Sequence, residues 1–138
     1  MKEHIVVTKT DLAALYRLVE ARRPTPSPDR ENLNTLEQEL DRAEVVGSDA
    51  VSSDVVTMNS EVRLKDLDSG EEKTYTLVYP GQVRTETSVS VLAPIGTAML
   101  GYRVGDVIEW RVPKGIRRWE VLEVQYQPEA AGVGSSAV

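Results

Sequence analysis

The sequence predicts an α+β chain: an N-terminal antiparallel helical hairpin, a short coiled coil, followed by an antiparallel sheet that carries one short helix. Three observations carry that expectation. Apolar residues recur at helical spacing through Ala43 and at alternate positions from Val62 onward. The two regimes are separated by Gly47-Ser48-Asp49-Ala50-Val51-Ser52-Ser53-Asp54, a small, polar, aperiodic stretch. With 138 residues, 41% of them hydrophobic, the chain can build one real core and is too short for two large domains.

The first helix is expected to begin after Ile5-Val6-Val7, where Thr8 and, three residues on, Asp11 form a variant of the capping box that satisfies free N–H groups. Leu12, Leu15, Tyr16 and Val19 make one apolar stripe, Arg22 and Arg23 suit the negative end of the helix dipole, and Pro24 ends the helix. The run Pro24-Thr25-Pro26-Ser27-Pro28 is a stiff turn, in which Ser27 caps a second helix opened by Pro28. Leu33, Leu36, Leu40 and Ala43, spaced by three, four and three, form a narrow coiled-coil seam. Helices of about 15 to 17 residues would be roughly 22 to 26 Å long at 1.5 Å per residue.

In the second half, Val62 and Leu64 alternate with charged residues, Asp68-Ser69-Gly70 turns, and Tyr75, Leu77 and Tyr79 alternate again up to Pro80-Gly81. Val89 and Val91 mark a short strand, and Ala93 to Gly101 is a helix opened by proline and closed by glycine. Val107 to Val112 and Trp119 to Tyr126 flank the hairpin turn Pro113-Lys114-Gly115. The expected organisation is hairpin 1–47, linker 48–53, sheet domain 54–128 and a flexible tail 129–138, which is too poor in large apolar residues to pack.

Composition excludes much chemistry. Sixteen basic against 22 acidic residues, a net charge of −6, argue against bulk electrostatic binding of nucleic acid. Without cysteine and with His4 as the one histidine, thiolate zinc sites, cysteine nucleophiles and histidine clusters are ruled out, and neither metal nor cofactor is expected. No apolar run suits a signal peptide or a membrane span, so a cytoplasmic protein is expected.

Several patterns suggest sites and are weighed against structural roles. Gly96 and Gly101 have phosphate-loop spacing, but Tyr102 and Arg103 stand where lysine and a hydroxyl residue belong, so they read as helix punctuation. Lys114, Arg117 and Arg118 read as a solvated hairpin tip, and Trp110, Trp119 and the tyrosines as sheet residues rather than a base-stacking platform. Asp29, Glu31, Glu37, Glu39 and Asp41 line the second helix; the first two favour its dipole, or place two carboxylates at the hairpin tip where they could hold magnesium in another protein's active site.

Taken together, Asp54 to Ser60, Thr74 to Pro80, Ala93-Pro94-Ile95-Gly96, Val104-Gly105-Asp106 and Glu123 to Tyr126, behind a helical hairpin, resemble the Gre-type transcript-cleavage factors. A narrower match within that family rests on Glu39 to Ala43, Asp54 to Ser60, Leu77 to Pro80 and Tyr126 to Gly132. The resemblance implies an FKBP-like sheet domain that docks at the rim of the secondary channel of core bacterial RNA polymerase, with the coiled coil aimed at the pore. It places the polymerase contacts at Leu92, Ala93, Pro94 and Ile95, keeping the family's proline but losing two polar groups, and a tip at Pro26, Asp29 and Glu31 that lacks the family's surrounding motif.

A hairpin of about 25 Å is too short for the deep reach that transcript cleavage requires. The expected function is therefore that of a monomeric, non-enzymatic regulator that competes with Gre factors without stimulating cleavage and contacts neither specific nucleic acid sequences nor membranes. The alternatives are a cleavage stimulator acting through Asp29 or Glu31, and a prolyl isomerase suggested by fold analogy, which a chain with no phenylalanine and two tryptophans furnishes poorly.

Overall fold

The computed structural model describes residues 4–24 and 30–132. The N-terminal half runs β1 (Val6–Thr8), α1 (Lys9–Arg22), α2 (Arg30–Asp41) and β2 (Glu44–Val46). Then follow β3 (Glu61–Asp66), β4 (Glu72–Val78), a 3-10 turn at Pro80–Gln82, β5 (Ser88–Ser90), α3 (Pro94–Met99), β6 (Val107–Val112) and β7 (Gly115–Tyr126). The five later strands form one sheet in the order β5-β4-β3-β7-β6, whereas β1 and β2 pair with each other in parallel.

Thr8 caps α1 as its sequence predicts, its hydroxyl accepting the Asp11 N–H at 3.1 Å. Asp11 does not complete the box; its carboxylate instead accepts the backbone N–H of Met58 at 3.1 Å, far along the chain. The buried stripe of α1 is Asp11, Leu15 and Val19, with Leu12 and Tyr16 only partly covered. In α2 the seam leucines Leu33, Leu36 and Leu40 are all buried. Ala43 lies past the end of the helix, because the chain leaves α2 at Asp41 to make β2.

The helices are consequently shorter than expected. Fourteen residues in α1 and twelve in the described part of α2 correspond to about 21 and 18 Å. Pro26, Ser27, Pro28 and Asp29 lie outside the described residues. Tyr16 contacts Asp41, while Arg23 contacts Asn34 and Glu37, so partners descend along α2 as they ascend along α1. Two helices alone cannot cover both sides of their seam. The leucines nevertheless reach 0 to 2% exposure, because they join one core with Val62, Leu64, Leu77, Ile108 and Val121 of the sheet.

The sheet departs from the expected all-antiparallel arrangement at one edge, where β5 pairs in parallel with β4. The helix that follows packs tightly on the end of this strand: a Cβ on Gly96 would lie 2.0 Å from the Ser90 carbonyl oxygen. On β3, Val62, Leu64 and Asp66 share the inward face, and register shifts against β7 curl the sheet. Strand β7 begins at Gly115, earlier than Trp119, since Val112 and Gly115 close a two-residue turn with Gly115 at φ 136°.

Burial alone would raise the Asp66 carboxyl, but the N–H groups of Asp68 and Ser69 and the Arg117 guanidinium outweigh it and hold it below its ordinary value. Arg118 pairs with Glu109 at 2.8 Å, so two cations of the basic hairpin tip serve the sheet itself. The expected frayed tail is also too long. Gln127 is buried and donates to Ser52 and Val55 carbonyls, and Glu129 accepts the Thr57 hydroxyl at 2.7 Å, which orders a turn through Gly132.

Candidate functional site

The loop from β5 into α3 is held in good part by its own hydrogen bonds. Leu92 N–H reaches the Ser90 hydroxyl at 3.0 Å, Ala93 N–H the Ser90 carbonyl at 3.0 Å, and the Thr97 hydroxyl the Val91 carbonyl at 2.6 Å. Ala93 is the N-cap and offers no side-chain acceptor, while Pro94 takes the first helical position, where its missing N–H costs nothing. The four residues expected at the contact surface therefore differ in what they present. Pro94 is exposed, Ala93 and Ile95 are partly covered, and Leu92 is buried in the core.

The first turn of α2 lies against this loop. Asn32 donates to the Leu92 carbonyl at 2.9 Å, a bond spanning sixty positions. Glu31 is exposed beside it, whereas Pro26 and Asp29 lie outside the described residues. The other acids of α2 hold helices: Glu37 pairs with Arg23, Glu39 with Arg42, and Asp41 accepts the Tyr16 hydroxyl at 2.6 Å, which pushes Tyr16 up to about 12. Among the described residues no group of three or more acidic or histidine side chains is placed to hold a metal ion, and no helix is long and apolar enough to cross a membrane.

Between α2 and α3 on one side and β6 on the other runs a groove of about 740 Å³ with Thr35, Pro94, Tyr102 and Trp110 among its walls. Trp110 stacks obliquely on the buried Trp119 with ring centres 5.6 Å apart, which fixes the groove floor. Sequence reading placed the tryptophans on sheet faces but had no signal for this groove, because it forms between segments distant in sequence.

A second polar cluster joins the helices to the sheet domain. Burial pushes the Asp11 carboxyl up to about 6; the Met58 N–H opposes that, nearby Glu129 reinforces it, and the Thr8 hydroxyl opposes it. Burial chiefly, with Asp11 and Glu129 nearby, also raises Tyr79 against the opposing charge of Arg17. Reading Asp11 as a helix cap hid this role, since its partner is 47 positions away.

A curled sheet carrying one short helix behind a helix pair is the arrangement of a transcription elongation factor, and the chain belongs to the GreA/GreB family: its residues 51–126 match the C-terminal model of that family. Residues 3–46 match the Rnk N-terminus. The chain is similar to the regulator of nucleoside diphosphate kinase of Escherichia coli (strain K12), with 43% identity over 130 residues and 93% of each chain covered. GreA of Chloroherpeton thalassium is 38% identical over 107 residues, 77% of this chain and 68% of that relative. A solved GreA/GreB elongation factor from Nitrosomonas europaea, 43% identical, superposes with a TM-score of 0.73 over 91% of this chain and all of its own.

Proposed function

We propose that this protein is a non-enzymatic, cytoplasmic regulator that binds core bacterial RNA polymerase as a monomer and occupies the rim of its secondary channel without stimulating transcript cleavage. The observation that carries this reading is the pairing of a GreA/GreB-type C-terminal domain with described helices of only 14 and 12 residues. The C-terminal domain, taken as 54–128 with an FKBP-like sheet, supplies the docking surface, and the short coiled coil within 1–47 covers the channel mouth. Pro94, flanked by Ala93 and Ile95, forms the exposed centre of the contact. Leu92 acts from beneath, as the buried support of that loop.

Helices of about 20 Å do not deliver a carboxylate to within roughly 2.1 Å of a magnesium ion deep in another protein. Glu31 accordingly serves the start of α2 and the groove beside Pro94, and occupancy rather than chemistry is the mode of action.

The test is a stalled, backtracked polymerase complex with labelled transcript. This protein alone should release no cleavage product, and in excess it should suppress cleavage stimulated by a Gre factor. Ala93→Glu should raise the dissociation constant for core polymerase about tenfold, or about 1.4 kcal/mol. Cleavage by this protein alone, lost in an Asp29→Asn, Glu31→Gln double variant, would establish the cleavage-factor alternative instead. Unchanged affinity of a folded Ala93→Glu protein would move the contact elsewhere.

A further inference from the structure

We propose that Asp11 and Glu129 form a proton-coupled clasp on residues 55–60, in which ionising Asp11 loosens the C-terminal turn from Gln127 to Gly132 while leaving α1 seated. The two carboxylates come from opposite ends of the chain and grip neighbouring residues. Asp11 Oδ2 accepts the Met58 N–H at 3.1 Å, and Glu129 Oε1 accepts the Thr57 hydroxyl at 2.7 Å. The gripped segment is closed on itself. The Ser60 hydroxyl accepts the Thr57 N–H at 3.0 Å, the Ser60 N–H donates to the Thr57 carbonyl at 3.1 Å, and Thr57, Met58 and Ser60 are all buried. A hydroxyl carries one proton. With the Thr57 proton given to Glu129, the Ser60 hydroxyl is the donor in its 2.9 Å contact with Thr57, so a chain of bonds runs from Ser60 through Thr57 to Glu129.

The two grips respond oppositely to charge. An ionised Asp11 holds the Met58 N–H more tightly, as a charge-assisted bond, so α1 is not released. Glu129 is a like charge, and it is one of the causes that push the Asp11 carboxyl up to about 6. Such coupling is mutual: the factor by which docked Glu129 disfavours the Asp11 anion is the factor by which that anion disfavours docking of Glu129. The other titratable groups facing the pair are Tyr79, just past β4, and Arg17, on α1, whose charge is felt at Tyr79. Burial keeps the proton on Tyr79 and arginine keeps its charge, so Asp11 supplies the change as pH rises through about 6.

The turn is the part that yields. Beyond Gln127 it is held by the Glu129 bond and by its own backbone, with Ala131 N–H on the Gln127 carbonyl at 3.0 Å and Gly132 N–H on the Glu129 carbonyl at 3.2 Å. Gln127 is buried and donates to the Ser52 and Val55 carbonyls, both at 2.8 Å, so it stays anchored. Helix α1 has Leu15 and Val19 in the core. Segments with few buried contacts open at the lowest free energy. The clasp makes no use of the contact at Pro94, and the experiment below uses the free protein, so this proposal and the polymerase reading fail separately.

The experiment is amide hydrogen exchange of the full chain by NMR at pH 5 and pH 7.5, corrected for the intrinsic pH dependence of exchange. The opened population read at Ala131 and Gly132 should rise about tenfold between the two, the equivalent of one pH unit of coupling, while Val121 exchanges more slowly than both at either pH. Glu129→Gln keeps an acceptor for Thr57 and Asp11→Asn keeps one for Met58, and each should flatten the response. Reciprocally, carboxyl titration should find the Asp11 midpoint lowered by about one pH unit in Glu129→Gln. An equal pH response in the parent and Glu129→Gln, an Asp11 midpoint unmoved by that substitution, or turn amides exchanging at the rate of Val121 would each overturn the proposal. Glu129 lies outside the core, so the two Glu129→Gln measurements decide the matter even where Asp11→Asn fails to fold.

Discussion

Helices α1 and α2 are neighbours of similar length that bury three residues each, yet they are held by different physics. Helix α2 buries Leu33, Leu36 and Leu40, and its polar residues stay near solvent. Helix α1 buries Leu15 and Val19 together with a carboxylate, Asp11, one turn before them. The leucine seam depends on removing apolar area from water, which is non-directional and tolerant of small shifts. The Asp11 bond to Met58 is directional and costs desolvation, so it adds little net stability while setting where α1 starts relative to the sheet. The lesson is that both helices supply cohesion through one shared core, while α1 alone adds a directional bond that sets placement.

The largest expected break is at the seam. Leu36→Ala, at a position with no exposed surface, should cost about 2 to 5 kcal/mol in denaturant unfolding. A loss under about 0.5 kcal/mol would mean that the seam is not a core.

The second change sharpens the contrast through pH. The folded value of Asp11, about 6, lies above its ordinary 3.8, so the stability associated with this group is fully present below 3.8 and is lost as pH rises through 6. At 1.36 kcal/mol per pH unit, that gap is worth up to about 3 kcal/mol. Asp11→Asn keeps an acceptor for Met58 and removes the ionisation. Unfolding measured at pH 4 and pH 7 should therefore show the parent losing stability relative to the Asn variant as pH rises. A parallel pH dependence in both proteins would remove Asp11 as its source.

The smallest effect belongs to the bond that ties the two helices at the surface. Tyr16→Phe deletes the hydroxyl that donates to Asp41 and should cost about 0.5 to 1.5 kcal/mol. It should also abolish the tyrosine whose ionisation is delayed to about 12, which ultraviolet absorbance titration reads directly.

Local signals made most of the elements legible. Thr8 as a cap, the leucine spacing of α2, Pro94 at the head of α3 and Val107 to Val112 as a strand each depend on neighbours within a turn or a register step. What escaped depends on partners far along the chain. Strands β1 and β2 are three residues each and exist because they find one another, so periodicity has too few residues to register them. The parallel pairing of β5 with β4, and the close approach of Gly96 to the end of β5, are likewise set by tertiary contacts rather than by the local pattern. The candidate site divides the same way: Pro94 was visible as a helix opener, while the burial of Leu92, the Asn32 bond and the groove at β6 follow from tertiary placement.

The seat of β1 bears on how the chain is made. Ile5 lies so close to Gly101 that a Cβ there would come within 2.4 Å of its own Cβ, and Val6 N–H donates to the Gly101 carbonyl at 3.3 Å. Strand β1 thus has two kinds of partner: β2, at Glu44 to Val46 and close to the helix pair in sequence, and Gly101, from the last third of the chain. Helices α1 and α2 can associate before Gly101 emerges, because their contacts are local. Synthesis should pass through a stage with the helix pair and the β1–β2 pair formed but the side of β1 that seats Gly101 still open, to be closed only when the end of α3 arrives.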